Sequence, residues 1–320
     1  MTNVTQHHLL SAASRTLSLK AIYKAGEDKA YETFRKIRWL ETGGEAVCPR
    51  CDHDEAYTIS TRRKFKCKNC HHQFSVTSGT IFHARKLDYV DLLAAILIIA
   101  NAAKGVSAVQ LSRDLDVQYK TAFVLAHKLR ETMTSETRGL ILSGAVEIDG
   151  QYHGGHVRPS NLKENRRDRR LKRNQTGKRR VVIAMREKQG RTITKVERTE
   201  AKGVLFALDR LAKGSELHAD EAPHWDELEA RFPMARIDHG QGYSINGACT
   251  NQAESFFSRL RRMVQGQHHF VSPGYLHQYA AHAAWLEDHR RDDNGTQART
   301  VLALGLAAPV SRQWKGYWQR

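Results

Sequence analysis

Apolar and polar residues follow several distinct rhythms along this chain. Residues 1–40 are basic and helical in pattern, with an amphipathic stretch from Tyr31 to Leu40. Alternation with a period of two follows at Tyr57-Thr58-Ile59 and Lys64-Phe65-Lys66, which predicts two short strands. A nearly unbroken apolar run from Leu87 to Ala103 predicts a buried helix. Its core, Val90 to Ala103, is too short for a bilayer span and contains Asp91 and Asn101. Gly105-Val106 breaks the pattern and Ser107 is a candidate N-cap. Ala108 to Leu115 predicts a short helix, Asp116-Val117 a turn, and Gln118 to about Met133 a second helix. Leu111, Leu115, Val117, Ala122, Leu125 and Leu129 are spaced to pack between them.

The second half has a different character. Ala145 to Asp149 alternates as a strand, and Arg180–Met185 and Arg191–Val196 predict two more. A helix over Gly203–Ala212, a short strand over Glu216–Ala219 that ends at Asp220, a helix over Trp225–Phe232 and a strand over Ala235–Asp238 follow. Asn251–Gln265 and Tyr275–Arg290 predict two closing helices. Three strands, then helix and strand in alternation, then helices suit a mixed sheet with helices on both faces. This is the element order of the ribonuclease H-like fold.

Four cysteines add chemistry to the ribbon-like strand pair. Cys48-Pro49-Arg50-Cys51 and Cys67-Lys68-Asn69-Cys70 are two CxxC turns with fifteen residues between them, the spacing of a tetrahedral Zn²⁺ site. A ribbon of this size is expected to have almost no core, so the metal would supply its folding energy. Paired CxxC motifs without a disulfide framework point to a reducing cytoplasm. Cys249 has no obvious partner, and the N-terminus has no apolar signal-peptide region.

Charge then narrows the partners. Lys and Arg outnumber Asp and Glu by 51 to 34, a net charge of +17, which attracts polyanions and most often DNA or RNA. Short helix, turn and longer helix form a helix-turn-helix pattern in which Gln118, Tyr119, Lys120 and Thr121 begin the recognition helix. Arg113, Lys120, Lys128 and Arg130, read on the polar faces, favour DNA over a plain helical hairpin. Between the first two strands of the second half lies a basic stretch, Arg158 to Arg180, which cannot form a core. It holds Arg166, Arg167, Arg169, Arg170, Lys172 and Arg173 and is expected to grip phosphates. The chain therefore divides into a helical segment at 1–43, a zinc ribbon at 44–80, a helix-turn-helix domain at 86–136, a ribonuclease H-like domain at 140–292 with a basic insertion at 158–180, and a tail at 293–320.

Three acids fall where that fold would gather them. Asp149 lies on the first strand, Asp220 at the end of a later one, and Glu254 on the helix 34 positions beyond. Phosphodiester cleavage by two Mg²⁺ ions about 3.5–4 Å apart needs such oxygen ligands. Asn251, Glu254, Ser258 and Arg261 share one helix face, opposite Ala253, Phe256, Phe257, Leu260 and Val264. Glu147, two residues before Asp149, competes for a ligand role, as do Glu221 and Asp238 more weakly.

Over nearly its whole length the chain resembles the zinc-ribbon DDE insertion-sequence transposases, the bacterial ISXO-type group. The likeness rests on CPRC…CKNC followed by FSVTSGTIF, on VEIDGQYHGG and LHADEAPHWDEL, and on GACTNQAESFFSRLRR with HHFVSPGYL after it. It implies a ribonuclease H-like core, Mg²⁺ or Mn²⁺, and cutting and joining of double-stranded DNA at terminal inverted repeats and a target. Asp149 and Asp220 match the family's two aspartates. The third position is Asn251 or Glu254; Glu254 is preferred because a carboxylate binds Mg²⁺ better than an amide and because of its spacing to Arg261. Arg261 stands where relatives commonly carry Lys, and Gly150 where many carry Glu. Synapsis of two ends implies a homo-oligomer, working in the bacterial cytoplasm at the nucleoid and not at a membrane. A non-catalytic DNA-binding regulator, or a nuclease or resolvase that hydrolyses without joining, remain the alternatives.

Overall fold

The structure, a computed structural model, describes residues 8–155, 160–168, 171–174, 176–188, 190–238, 244–245 and 248–319. The chain forms two compact units, residues 1–136 with 289–320 and residues 137–288.

In the first unit, helix α1 (Leu19–Arg38) starts at Ser18, whose hydroxyl accepts from the Ala21 N–H at 3.1 Å, and is broken at Gly26, where φ is 76°. It buries Ile22, Ala30 and Phe34. Strands β1 (Ala56–Ile59), β2 (Lys64–Cys67) and β3 (Gln73–Phe74) form a small antiparallel sheet with Phe65 opposite Thr58 on one side and Phe74 on the other. The ribbon is less coreless than its size suggests. Phe65 and Phe74 are both buried, with ring centroids 5.6 Å apart, and Trp39 at the end of α1 stands edge-on to Phe65 at 5.4 Å.

Helix α2 (Tyr89–Asn101) is apolar nearly all round, which makes it a core helix. Helix α3 (Ala108–Asp114) is capped by Ser107, which accepts from the Gln110 N–H at 3.1 Å, and a turn through Asp116 at φ 49° leads into α4 (Tyr119–Glu136). Leu111, Leu115, Ala122, Leu125 and Leu129 are buried between them, and Val117 is half-buried. Two of the basic residues read on the polar faces lie elsewhere. Arg130 is only 2% exposed and donates to the Val106 carbonyl at 3.3 Å, so it braces the loop before α3. Lys128 is half-buried, and burial holds its pKa below the usual value.

The second unit is built on a five-stranded sheet in the order β6-β5-β4-β7-β8. Its strands are β4 (Ala145–His153), β5 (Arg180–Glu187), β6 (Thr192–Glu197), β7 (Glu216–Asp220) and β8 (Met234–Ile237). The first three are antiparallel, while β4, β7 and β8 run parallel, so the sheet is mixed as expected. One face, carrying Val146, Ile148, Val181, Ile183 and Met185, packs on α5 (Gly203–Arg210) and Trp225. Val182 and Ala184, on the other face, pack on α6 (Asn251–Arg262) and α7 (Leu276–Asp288). The helix expected at Trp225–Phe232 is a short 3-10 helix, Pro223–Leu228, whose spacing of three places Trp225 and Leu228 together in the core. The last turn of the helix expected to reach Gln265 is a π-turn, Met263–Gln267. A small hairpin, β9 (Ser244–Ile245) with β10 (Ala248–Cys249), precedes α6.

The chain then returns to the first unit. Residues 293–320, expected as a tail, contain α8 (Asn294–Ala307), which packs on α1, α2 and α4. Asp293 caps it, accepting from the Gly295 and Thr296 N–H groups at 3.1 and 3.0 Å, and Asn294 accepts from Thr16 and Leu17, both at 3.0 Å. Gly305 lets Phe82 lie flush on the helix, since a Cβ there would meet the ring at 2.5 Å. Beyond α8, Trp314 stacks on His127 of α4 at 4.2 Å between ring centroids. Among the described residues no helix is long and apolar enough to cross a membrane.

Candidate active site and metal cluster

The four ribbon cysteines converge. Their sulfurs lie within 4.8 Å of one another, with Cys48 to Cys70 and Cys51 to Cys67 each 3.6 Å apart. Four thiolates about 2.3 Å from a tetrahedral Zn²⁺ would be spaced at about 3.8 Å, so the group fits that ion. The two turns are built alike. The Cys48 N–H donates to the His53 carbonyl at 2.9 Å and the Cys67 N–H to His72 at 3.0 Å. The residue after each second cysteine, Asp52 and His71, is left-handed, at φ 55° and 56°. This repetition aims both pairs of thiols at one point.

The acidic residues belong to the second unit. Strands β4 and β7 are parallel, with Ala145 opposite Glu216 and Glu147 opposite His218. Asp149 and Asp220 lie two residues beyond the last paired positions of these adjacent parallel strands, toward the same end of the sheet. Asp149 Oδ1 accepts from the Gly150 N–H at 2.6 Å, and Asp220 Oδ1 from the Ala222 N–H at 3.2 Å, so each carboxylate is held by the backbone just after it. A third acid lies in their field. Burial, and then the negative charges of Asp149 and Asp220, push the Glu200 carboxyl up to about 7.

Glu254 sits in the first turn of α6, half-buried, and the Thr250 hydroxyl donates to it at 3.4 Å. That turn is held to β4 by Glu147. Its carboxylate is 2% exposed, accepts from the Gln252 and Ala253 N–H groups at 2.8 and 2.9 Å, and receives the Cys249 thiol at 3.4 Å. Glu147 thus complements the positive end of α6. Cys249 also has a place, since its N–H donates to His218 Nδ1 at 3.1 Å. A buried chain of charges anchors the same helix from the far side. Arg186 donates to Gln252 at 3.1 Å and pairs at 3.0 Å with Glu287 of α7, which also meets Arg259. Arg261, exposed two turns beyond Glu254, lies near the end of β4. Burial, and then the charge of Arg261, pull His153 down to about 4. Asn251 is exposed at the first position of α6. Glu221 is exposed and Asp238 follows the end of β8.

The DNA-facing expectations fall on both units. Gln118, Tyr119 and Lys120 are exposed and Thr121 is half-buried at the start of α4, where Lys120 lies over the Trp318 ring at 5.3 Å. In the basic stretch Arg166 and Arg167 are exposed and Arg173 is in a short 3-10 turn, Lys172–Asn174. Arg158, Arg169, Arg170 and the side chain of Lys172 lie outside the described residues.

Sequence reasoning passed over Glu200. It stands in an ordinary polar stretch before α5, and only Gly150, a gap beside the first aspartate, hinted at a close neighbour.

Residues 141–288 match the model of the ISXO2-like transposase domain, and residues 25–73 that of the transposase zinc-ribbon domain. The first match ends where the second compact unit ends, and the other begins beside the break at Gly26. No curated protein and no solved structure matches the chain. With the four-cysteine ribbon and the mixed sheet of the transposase domain in one chain, this protein belongs to the zinc-ribbon, ISXO2-like family of insertion-sequence transposases.

Proposed function

We propose that this transposase binds the terminal inverted repeats of its element, cuts the DNA there and joins the ends to a target in a divalent-metal-dependent reaction. The placing of the acids carries the reading: Asp149 and Asp220 lie two residues beyond the paired positions of adjacent parallel strands, and the Glu254 turn of α6 is tied to the same β4. Asp149, Asp220 and Glu254 would hold Mg²⁺ or Mn²⁺, for which carboxylate oxygens are the suitable donors. When bound, the ions activate the attacking oxygen and stabilise the leaving one in an in-line displacement. Glu147 and Thr250 restrain Glu254, and Arg261 grips a phosphate of the DNA end. Gln118, Tyr119, Lys120 and Thr121 read sequence. Arg166, Arg167, Lys172 and Arg173, together with Arg169 and Arg170, add salt-sensitive phosphate affinity. Holding two ends at once makes the working form a homo-oligomer, active at the nucleoid in the cytoplasm.

A labelled terminal-repeat duplex, scored for nicking and for joining, tests this. Asp149→Ala, Asp220→Ala and Glu254→Ala are each expected to lose cleavage by more than about a hundredfold while end binding persists. Mg²⁺ or Mn²⁺ supports the reaction, and Ca²⁺ supports binding with little chemistry. If Asn251→Ala is dead while Glu254→Ala cleaves normally, the asparagine is the third ligand. Cleavage without joining would make the protein a nuclease, and binding unaccompanied by either would make it a regulator.

A further inference from the structure

Tyr119, Phe123, His127 and Glu131 recur at every fourth residue and so form one stripe along α4. Residues 311–318 lie along that stripe, against the direction of the helix. The Ser311 hydroxyl donates to Glu131 at 2.7 Å and accepts from the Trp314 N–H at 3.0 Å. Trp314, buried, stacks on His127 one turn earlier, with ring centroids 4.2 Å apart. Gly316, left-handed at φ 61°, turns the chain, and the rings of Tyr317 and Trp318 each lie 5.8 Å from that of Phe123. The segment thus arrives at the start of α4, where Lys120 Nζ lies over the Trp318 ring at 5.3 Å. Packing accounts for Trp314 but not for Trp318, which is 46% exposed, as is Tyr119. Arg312 and Lys315 of the same segment are exposed as well. Exposed aromatic surface set among cations suits a polyanion.

We propose that residues 311–318 complete the duplex-DNA surface of α4, and that Trp318 is a positioning residue for Lys120, fixing its ammonium before DNA arrives. The proposal rests on the reading of Lys120 as a sequence-reading residue and adds a second length of chain to it. A lysine side chain loses rotamer freedom when it engages a base edge or a phosphate. A ring against its ammonium removes part of that loss in advance, and the ammonium carries more N–H donors than the ring engages.

Fluorescence anisotropy of the full chain on two labelled duplexes tests this, one carrying the element's terminal repeat and one a scrambled sequence of equal length. Lys120→Ala is expected to weaken terminal-repeat binding about tenfold. Trp318→Ala should weaken it about two- to fivefold, and both should affect the scrambled duplex less. The doubly substituted chain should bind no more weakly than Lys120→Ala alone, because the ring acts through the lysine. Trp318→Phe, which keeps a ring against the ammonium, should recover most of the loss. Trp318 is exposed, so all these variants should melt with the wild type. If Trp318→Ala weakens both duplexes equally, the ring serves stability or general affinity and the positioning role fails. Losses that simply add would give Trp318 a contact of its own and overturn that role too. If Trp318→Ala binds as tightly as the wild type or more so while Lys120→Ala binds weakly, the segment adds nothing to the surface, and the reading of α4 stands without it. If Lys120→Ala also binds normally, the reading of Lys120 is wrong and the proposal falls with it.

Discussion

Glu147 shows how one carboxylate can be read in two ways. It lies two residues before Asp149 and on the same face of β4, so by alternation alone it competes as a metal ligand. Its hydrogen bonds to the Gln252 and Ala253 N–H groups make it the anchor of α6 instead. Glu147→Ala would leave two buried N–H groups without an acceptor and is expected to destabilise the second unit by about 2–5 kcal/mol. Glu147→Gln, which keeps one acceptor oxygen, should lose less. Urea unfolding measures this, and an unchanged midpoint for the alanine variant would refute the anchoring role. Asp149→Ala, by contrast, should leave the midpoint unmoved or raised. Asp149 and Asp220 were legible in the chain because each ends or punctuates a strand of clear alternation. Glu200 was not, because its partner Gly150 is fifty positions away and the two meet only through the sheet. Arg130 was misplaced for a related reason: a cation on a helix reads as surface unless the carbonyl that receives it, here Val106, is known.

At the scale of elements, local signals were reliable wherever chemistry or period was strong. The CxxC spacing located the ribbon, and the apolar stripe of α6 placed Phe256, Phe257 and Leu260 in the core. The ribbon should carry about one zinc per chain by elemental analysis, and Cys67→Ser should lose it. The Trp39, Phe65 and Phe74 cluster is too small to hold the three short strands unaided, so the variant should also expose the ribbon to limited proteolysis. A metal-free wild type with a protease-resistant ribbon would contradict this. Signals failed where a tertiary partner decided the outcome. The 3-10 geometry at Trp225 follows from Pro223 at the start of the turn and the core that receives Trp225 and Leu228. Helix α8 was passed over because its weakly amphipathic sequence becomes helical and buried only against α1, α2 and α4.

At the scale of the molecule, the first unit is made from two lengths of chain separated by the whole of the second. His289 joins those lengths where they meet. Its Nε2 lies 3.2 Å from the Glu136 carboxylate at the end of α4, and its Nδ1 2.7 Å from Asp292. Burial alone would lower its pKa, but the hydrogen bonds and charges of Glu136 and Asp292 outweigh burial and hold it above the ordinary value. A histidine raised in the folded state favours folding fully below its unfolded pKa of about 6.5, and that contribution is lost as pH rises through the folded value. The wild type should therefore lose more melting temperature between pH 6 and pH 8.5 than His289→Gln does; equal losses would remove the clasp from the account.

The same discontinuity sets an order on synthesis. The transposase domain leaves the ribosome complete while α2 still lacks α8, the helix that covers much of its apolar surface. A chain halted after the second unit would carry a finished transposase domain and an unfinished first unit with its core bare. Such a product is expected to aggregate or be degraded, so only chains that include α8 should accumulate with both units folded.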